Sequence, residues 1–446
     1  MAHTLRAEPL GSDVRMHALG PLRGAVRLPG SKSLTNRLLM CAALADGRSL
    51  LHGAAAADDV RRMIAALRRL GVSVAEETAG SRLSIDGCRG QLPATEADLD
   101  VGHAGTAMRF LTALCSLGHG AYRIDGSARM RERPIGDLVD ALRTLGAAIG
   151  YEGREGLPPV LVRGGGLRGG SVSFSNVVSS QFVSALLMAA PYAGGDVLIE
   201  IRGKVSSAPY LAMTLDVMRR MGAEALSDST ADGAPADDGA RFIVPAPQRY
   251  RATSIDVEPD ASGASYFWAA AAVSGGRVLV HGLHDTSVQG DVRFVHVLEQ
   301  MGCRVEREPE GIAVLGPGPG GLRGVDVDLN AMPDVVQTLA AVALFARGPT
   351  TIRNVANLRV KETDRLAALE RELTRLGAEI ALAPDGLTIR PPATPRPAAL
   401  DTHDDHRMAM SLSVAGLACE GVVIRDAGVV SKSLPEFFSL LNGFGR

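Results

Sequence analysis

Aromatic residues are scarce in this chain: they make up 4% of 446 residues, with a single tryptophan. Its interior cannot be built around rings, so the 46% of hydrophobic residues must form aliphatic, alanine-rich cores. Cysteine is rarer still. Cys41, Cys88, Cys115, Cys303 and Cys419 form no CxxC pair and no zinc-ligand spacing, which excludes a disulfide scaffold and a structural zinc module. Cys41, Cys115 and Cys419 stand in Ala/Leu-rich helical text and are expected as small buried hydrophobes of a reducing compartment; Cys88 and Cys303 fall in strand-like text. Neither charge sign is in excess. Lys and Arg total 47 against 49 Asp and Glu, a net charge of −2, which leaves no footprint for nucleic acid. No apolar run reaches membrane-spanning length, and MAHTLRAEPLGSDVRMHALG at the start lacks the apolar core of a signal peptide. The expectation is a soluble cytoplasmic protein in which any basic cluster is local and therefore informative.

What the chain has is repetition. Its length exceeds one ordinary core, so two domains are expected. An amphipathic helix ending in an apolar residue and glycine recurs at RRLG, RTLG, RRMG, EQMG and TRLG, whose glycines are Gly71, Gly146, Gly222, Gly302 and Gly377. The spacings are 75, 76, 80 and 75 residues. Val60, Met63, Ile64, Leu67 and Leu70 share one helical face in the first, and Leu366, Leu369, Leu373 and Leu376 in the fifth. The terminal glycine suits a left-handed C-cap. Upstream of each amphipathic helix comes an almost wholly apolar one, the signature of a buried helix: LTNRLLMCAALA, TAMRFLTALCSL, SQFVSALLMAAPY, SYFWAAAAVSG, VVQTLAAVALFA and RMAMSLSVAGLAC. A unit is buried helix, strand, amphipathic helix and two strands. Six units on a two-domain chain predict three per domain, with a break near 250–260. SDSTADGAPADDGAR (227–241) is an acidic surface excursion, PPATPRPAA (391–399) a connector, and GPGPGG (316–321) fails as a dinucleotide motif because prolines interrupt it and a strand follows.

The buried helices begin with polar chemistry: GSKSLTNR, GHAGTAMR, VSSQF, DASGASY, MPDVVQ and DDHRM. Helix N-termini attract anions, and Lys32, Arg37, Arg109 and Arg407 intensify that. Serines and aspartates there also serve as N-caps, and Arg37 and Arg109 can be ion-paired between units. Capping leaves unexplained why cations sit where the helix dipole disfavours them; an anion between them explains it. GSKS is not a phosphate loop of the Walker type, because Ser31 separates Gly30 from Lys32. HDDH (403–406) serves better as a helix start than as a metal site, and no GxSxG elbow is present. In NLRVKETDR (357–365), Lys361 and Arg365 are i, i+4 and are expected on one face of a first helical turn, with Glu362 beside them. ARMRERPIG (128–136) and VVSKSLPEFF (429–438) repeat that basic pattern. Together these describe a site lined by Lys and Arg for a small, multiply anionic ligand held between domains. Asp334 and Glu362 are its acid/base candidates, since carboxylates oppose anion binding and need another reason to be there.

PGSKSLTNR, GHAGTAMR, RERPIGDLVDAL, VSSQFVSALLM, RVKETDRL and DDHRMAMS, in this order from Leu28 to Phe438, resemble the 5-enolpyruvylshikimate-3-phosphate synthase family. The resemblance implies an α/β (α+β) fold of two domains. Each holds three βαβαββ units about a pseudo-threefold axis, with buried helices inside and sheets outside. It implies a discontinuous domain of residues 1–30 plus 258–446, an inserted domain of 31–257, and an active site in the cleft between them that closes on ligand. The implied reaction transfers the enolpyruvyl group of phosphoenolpyruvate to the 5-hydroxyl of shikimate 3-phosphate, without metal or organic cofactor. By position, Lys32, Ser33, Arg37, Ser179, Ser180, Gln181, Ser207, Asp334, Asn357 and Lys361 would bind shikimate 3-phosphate. Lys32, Gly105, Arg133, Gln181, Arg365, Arg407 and Lys432 would bind phosphoenolpyruvate. Asp334, Glu362 and Lys32 would be catalytic. A cytoplasmic monomer without nucleic-acid or membrane partners is implied, and Gly105 matches the class inhibited by glyphosate.

The chain departs from the family pattern at His103, where Asn is usual, at Phe110, where Pro is frequent, and in VSSAPY, whose extra residue leaves Ser206 and Ser207 as alternatives. Two rivals are a UDP-N-acetylglucosamine enolpyruvyl transferase, which relies on a loop cysteine and lacks the GSKS start, and an anion sensor that has kept the scaffold. The presence of Asp334 and Glu362 counts against the sensor.

Overall fold

The structure, a computed structural model, describes residues 5–77, 81–228 and 239–444. Contacts divide the chain into two compact units, one of Met1–Pro29 with Pro259–Arg446 and one of Gly30–Glu258. In the inserted unit, α1 (Lys32–Leu44) is buried and α2 (Asp58–Arg69) amphipathic; α3 (Gly105–Leu117) and α4 (Gly136–Thr144), then α5 (Ser180–Ala189) and α6 (Pro209–Arg220), repeat the pair. In the discontinuous unit the pairs are α7 (Ala261–Ser274) with α8 (Phe294–Gln300), and α9 (Val336–Ala343) with α10 (Arg365–Arg375). The last buried helix is α11 (His406–Gly416), followed by α12 (Phe437–Gly443).

The punctuating glycines behave as their position demands. Gly71, Gly146, Gly222, Gly302 and Gly377 all have positive φ, between 84° and 105°, the left-handed turn that ends each amphipathic helix without a Cβ penalty. Cys41 and Cys115 lie within α1 and α3, but Cys419 lies beyond α11. Cys88 and Cys303 are not in strands. Each adjoins one, following Arg82–Asp86 and preceding Arg304–Glu308, at the turns that bound the hairpins. The acidic excursion lies largely outside the described residues.

Among the described residues, six four-stranded sheets complete the repeats. In the second repeat, the strand before α3 (Glu96–Asp100) pairs in parallel with the strand after it (Ala121–Asp125), and a hairpin adds two antiparallel strands. Two sheets exchange their first strand. Arg23–Val26, which precedes α1, pairs with Arg277–His281, which follows α7; Ser254–Asp256, which precedes α7, pairs with Arg48–His52, which follows α1. The sixth repeat lacks the hairpin of the others. The N-terminal strands Ala7–Leu10 and Asp13–Met16 take its place beside Val423–Ile424. The buried helices are mainly aliphatic; in the discontinuous unit Tyr266 and Phe267, on α7, pack with Phe437 and Phe444. Among the described residues, no helix is long and apolar enough to cross a membrane.

Candidate active site

The polar groups collect at the starts of the buried helices in each unit. In the inserted unit, Pro29–Gly30 leads into α1. Gly30 must be glycine: a Cβ there would stand 2.2 Å from the Gly53 carbonyl oxygen, which accepts the Gly30 amide at 2.8 Å. Ser31 caps α1, and Lys32 is its first residue. The Lys32 ammonium is 2.9 Å from Asp59 Oδ2 at the start of α2, with both side chains largely buried. Arg37, 1% exposed, lies wholly inside. Its guanidinium donates to Thr214 Oγ1 (2.8 Å), the Ser33 carbonyl (3.0 Å), Ser184 Oγ (3.2 Å) and the Tyr210 carbonyl (3.3 Å). The rings of Phe110 and Tyr210 flank it at 5.4 and 5.6 Å. The ion pair between units, the alternative to anion binding at Arg37, does not form among the described residues; its partners are hydroxyl, carbonyl and ring groups, and burial pulls its pKa down to about 10. Among the described residues no carboxylate pairs with this deeply placed charge, which is favourable only if an anion comes near.

Around α3 the same logic holds. Gly105 opens the helix, and Arg133 packs so closely over it that a Cβ on Gly105 would stand 2.7 Å from Arg133 Nη2. Arg109 donates to the Gly105 and Pro134 carbonyls. His103 is exposed, its Nδ1 3.1 Å from Ser127 Oγ. Ser179 caps α5, Ser180 is its first residue, and Gln181 reaches back to Thr106 Oγ1 on α3 at 3.2 Å. Ser207, at φ 65° and buried, precedes α6; Ser206 is half-buried beside it.

The discontinuous unit gathers the remaining candidates into an alternating chain of charges. Lys432 Nζ is 3.4 Å from Glu362 Oε1, and Glu362 Oε2 is 2.9 Å from Arg365 Nη2. Arg365 Nη1 is 3.3 Å from Asp334 Oδ1, and Asp334 Oδ2 is 2.6 Å from Arg407 Nη2. Arg365 is 1% exposed and also pairs with Asp405, the N-cap of α11, at 2.7 Å. Burial works against its charge, but Asp405, Glu362 and Asp334 outweigh that and raise its pKa. Arg407 further donates to the Tyr266 hydroxyl at 3.4 Å, and burial pushes that phenol up to about 12. Asn357 lies in a 3-10 turn, Ala356–Val360, with its Oδ1 buried and lacking a hydrogen-bond partner.

Lys361 departs from expectation. It does not share a helical face with Arg365, because Asp364 caps α10 and Arg365 is the first helical residue. Lys361 is extended at the end of the preceding turn, which lets Glu362 fold back onto Arg365 instead.

Several partners escaped the sequence. Asp59 meets Lys32 through packing of the two helices of the first repeat, while Tyr210 and Tyr266 meet Arg37 and Arg407 through packing of separate repeats. Asp260 caps α7, while Ser262 donates instead to buried Asp291. Burial first, and then the charge of Asp334, push the Asp291 carboxyl up to about 7 against the pull of Arg407 and Ser262. Among the described residues, no cluster of three His, Cys, Asp or Glu side chains is placed to hold a metal ion.

Comparison with known proteins supplies the frame for this geometry. Residues 16–441 match the family model of EPSP synthase (3-phosphoshikimate 1-carboxyvinyltransferase). A 3-phosphoshikimate 1-carboxyvinyltransferase of Marinomonas sp. (strain MWYL1) is 45% identical over 95% of this chain and 98% of its own length. One from Nitrosomonas europaea is 46% identical over 93% of this chain and 95% of its own. An EPSP synthase from Acinetobacter baumannii superposes with a TM-score of 0.79 at 26% identity, over 97% of this chain and 98% of that one. With the family matched across nearly all of its repeats, and the basic helix starts in place within both units, the chain belongs to the EPSP synthase (3-phosphoshikimate 1-carboxyvinyltransferase) family.

Proposed function

We infer that the protein is an enolpyruvyl transferase of the shikimate pathway. It moves the 1-carboxyvinyl group of phosphoenolpyruvate to the 5-hydroxyl of shikimate 3-phosphate and releases phosphate. Membership of the family supports the reaction. The observation that carries the assignment of roles is the Lys432–Glu362–Arg365–Asp334–Arg407 chain, in which each acid lies between two cations.

With Asp405 on Arg365 counted in, three carboxylates balance three cations there, so the array as it stands is no simple anion trap. Proton transfer changes that. When Asp334 takes the proton of the 5-hydroxyl, its charge disappears and its hold on Arg365 and Arg407 weakens. The two guanidiniums then turn to the carboxylate and phosphate of the adduct, where forked donors stabilise charge best. Glu362, relayed to Lys432, is the group to protonate and later deprotonate C3 of the enolpyruvyl unit, with Lys32 as the other candidate. Asn357 offers its unpartnered Oδ1 to a ring hydroxyl, and Lys361 assists. Lys32, Ser33, Arg37, Ser179, Ser180, Gln181 and Ser207 hold shikimate 3-phosphate from the inserted unit. Gly105 and Arg133 hold phosphoenolpyruvate with Lys32, Gln181, Arg365, Arg407 and Lys432.

We propose that both units act on one substrate pair in an interdomain cleft, so that catalysis requires them together and water is excluded when they engage. On the same resemblance the enzyme works as a cytoplasmic monomer and is inhibited by glyphosate. The test is phosphate release by purified protein given shikimate 3-phosphate and phosphoenolpyruvate. Turnover that needs both substrates supports the reading; binding of both without phosphate release overturns it in favour of an anion sensor.

A further inference from the structure

We propose that Glu372 and His403 are positioning residues for the phosphoenolpyruvate arginines, acting through a strained turn that neither arginine belongs to. The inference rests on the reading that Arg365 and Arg407 bind phosphoenolpyruvate.

The turn spans residues 402–405, immediately before α11. Its two central residues, His403 and Asp404, both have left-handed backbones, at φ 52° and 55°. The Asp405 amide closes it on the Thr402 carbonyl at 2.9 Å. Paired left-handed residues suit Asn-Gly or Gly-Gly, and a β-substituted pair such as His-Asp is strained there. Such strain persists only where the surroundings enforce it, and it gathers at functional sites.

The enforcing group is Glu372 on α10. Its carboxylate is fully buried and grips the leading side of the turn, at His403 and the preceding Asp401. Oε1 lies 2.7 Å from His403 Nε2, and Oε2 accepts the Asp401 amide at 3.1 Å. Arg375 steadies the grip, its Nη1 reaching Glu372 at 3.2 Å and Asp401 at 3.0 Å.

What the turn delivers is Asp405. That residue caps α11, accepts the Arg407 amide at 2.9 Å and pairs with the Arg365 guanidinium at 2.7 Å. A single residue thus fixes the backbone of one arginine and the side chain of the other. Its own placement depends on the two left-handed residues just before it. If the turn relaxes into an ordinary conformation, Asp405 moves, Arg365 loses its most buried partner and the start of α11 shifts under Arg407. Among the described residues, Glu372 and His403 have as polar partners only each other, Asp401 and Arg375, so their effect is on where the substrate-binding side chains stand.

Steady-state kinetics on the full-length protein test this, with Glu372→Gln and, because a buried substitution can impair folding, His403→Leu at a half-buried position. Both should raise the KM for phosphoenolpyruvate about tenfold, while kcat and the KM for shikimate 3-phosphate change by less than about threefold. Replacing His403 and Asp404 by glycine in the Glu372→Gln background lets the turn form without strain and should restore most of the affinity. If Glu372 merely stabilises the fold, the melting temperature drops while both KM values stay put, and the inference fails. It fails equally if both KM values rise together or the glycines give no rescue. Arg407→Lys separates the two readings: if it raises the phosphoenolpyruvate KM and Glu372→Gln does not, only the positioning role falls. Absence of wild-type turnover removes both.

Discussion

The Lys32 ammonium and the Asp59 carboxylate, 2.9 Å apart, join the starts of two helices. A lysine at the first position of α1 opposes the helix dipole, whereas an aspartate in the first turn of α2 is favoured by it. Asp59 therefore holds a cation where the backbone would repel it.

Asp59→Asn tests that arrangement. It leaves a mostly buried ammonium without its counter-charge, which costs up to about 3 kcal/mol of stability in such settings. The expected result is a lowered melting temperature together with a fall of about 10- to 100-fold in kcat/KM, from stopped-assay phosphate measurements. An unchanged kcat/KM would show that Lys32 holds its position without Asp59.

Gly105→Ala addresses another helix start of the inserted unit, that of α3. Its new methyl would sit 2.7 Å from Arg133 Nη2, so the guanidinium must move. The KM for phosphoenolpyruvate should rise about tenfold, equivalent to about 1.4 kcal/mol, with less effect on shikimate 3-phosphate. Glyphosate inhibition should weaken in parallel. The parent enzyme is expected to be glyphosate-sensitive, and tolerance in the millimolar range would contradict the role given to Gly105.

Asp334→Ala removes the proposed proton acceptor and unlinks Arg365 from Arg407. Turnover should fall by roughly 10²–10⁴-fold, as for loss of a general base, while shikimate 3-phosphate still binds by calorimetry. A variant that retains its rate would take Asp334 out of proton transfer.

Much of this was legible in the sequence because it is local. The left-handed glycines at Gly71 and Gly377 follow from helix ends, and the buried helices from runs with no polar face. The long-range pairings were not. Nothing in AEPL or DVRM announces that these strands complete the sheet containing Val423–Ile424 at the far end of the chain. Arg37 was legible as a cation at a helix start, but its partners were not: they come from α5 and α6, and one of the two rings flanking it is Phe110, noticed only as a departure from pattern. Lys361 was misplaced for a local reason: Asp364 is the better cap, and the helix waits for it.

Asp291 gives the clearest pH signature. Its carboxyl is buried, bonded by Ser262, and faced by Asp334, Arg407 and Asp260. Burial, followed by the charge of Asp334, pushes it from 3.8 up to about 7. Between those two values the folded protein keeps a proton that the unfolded chain has released. Stability from this group is therefore full below pH 3.8 and is lost as pH rises through about 7. Asp291→Asn cannot ionise, yet its amide oxygen can still accept from Ser262. Relative to the parent, the Asn variant should thus gain melting temperature steadily from pH 5 to pH 8, with most of the gain reached near the Asp291 pKa of about 7. Parallel melting curves across that range would mean that Asp291 stays ionised in the fold, and that its neighbours carry its charge.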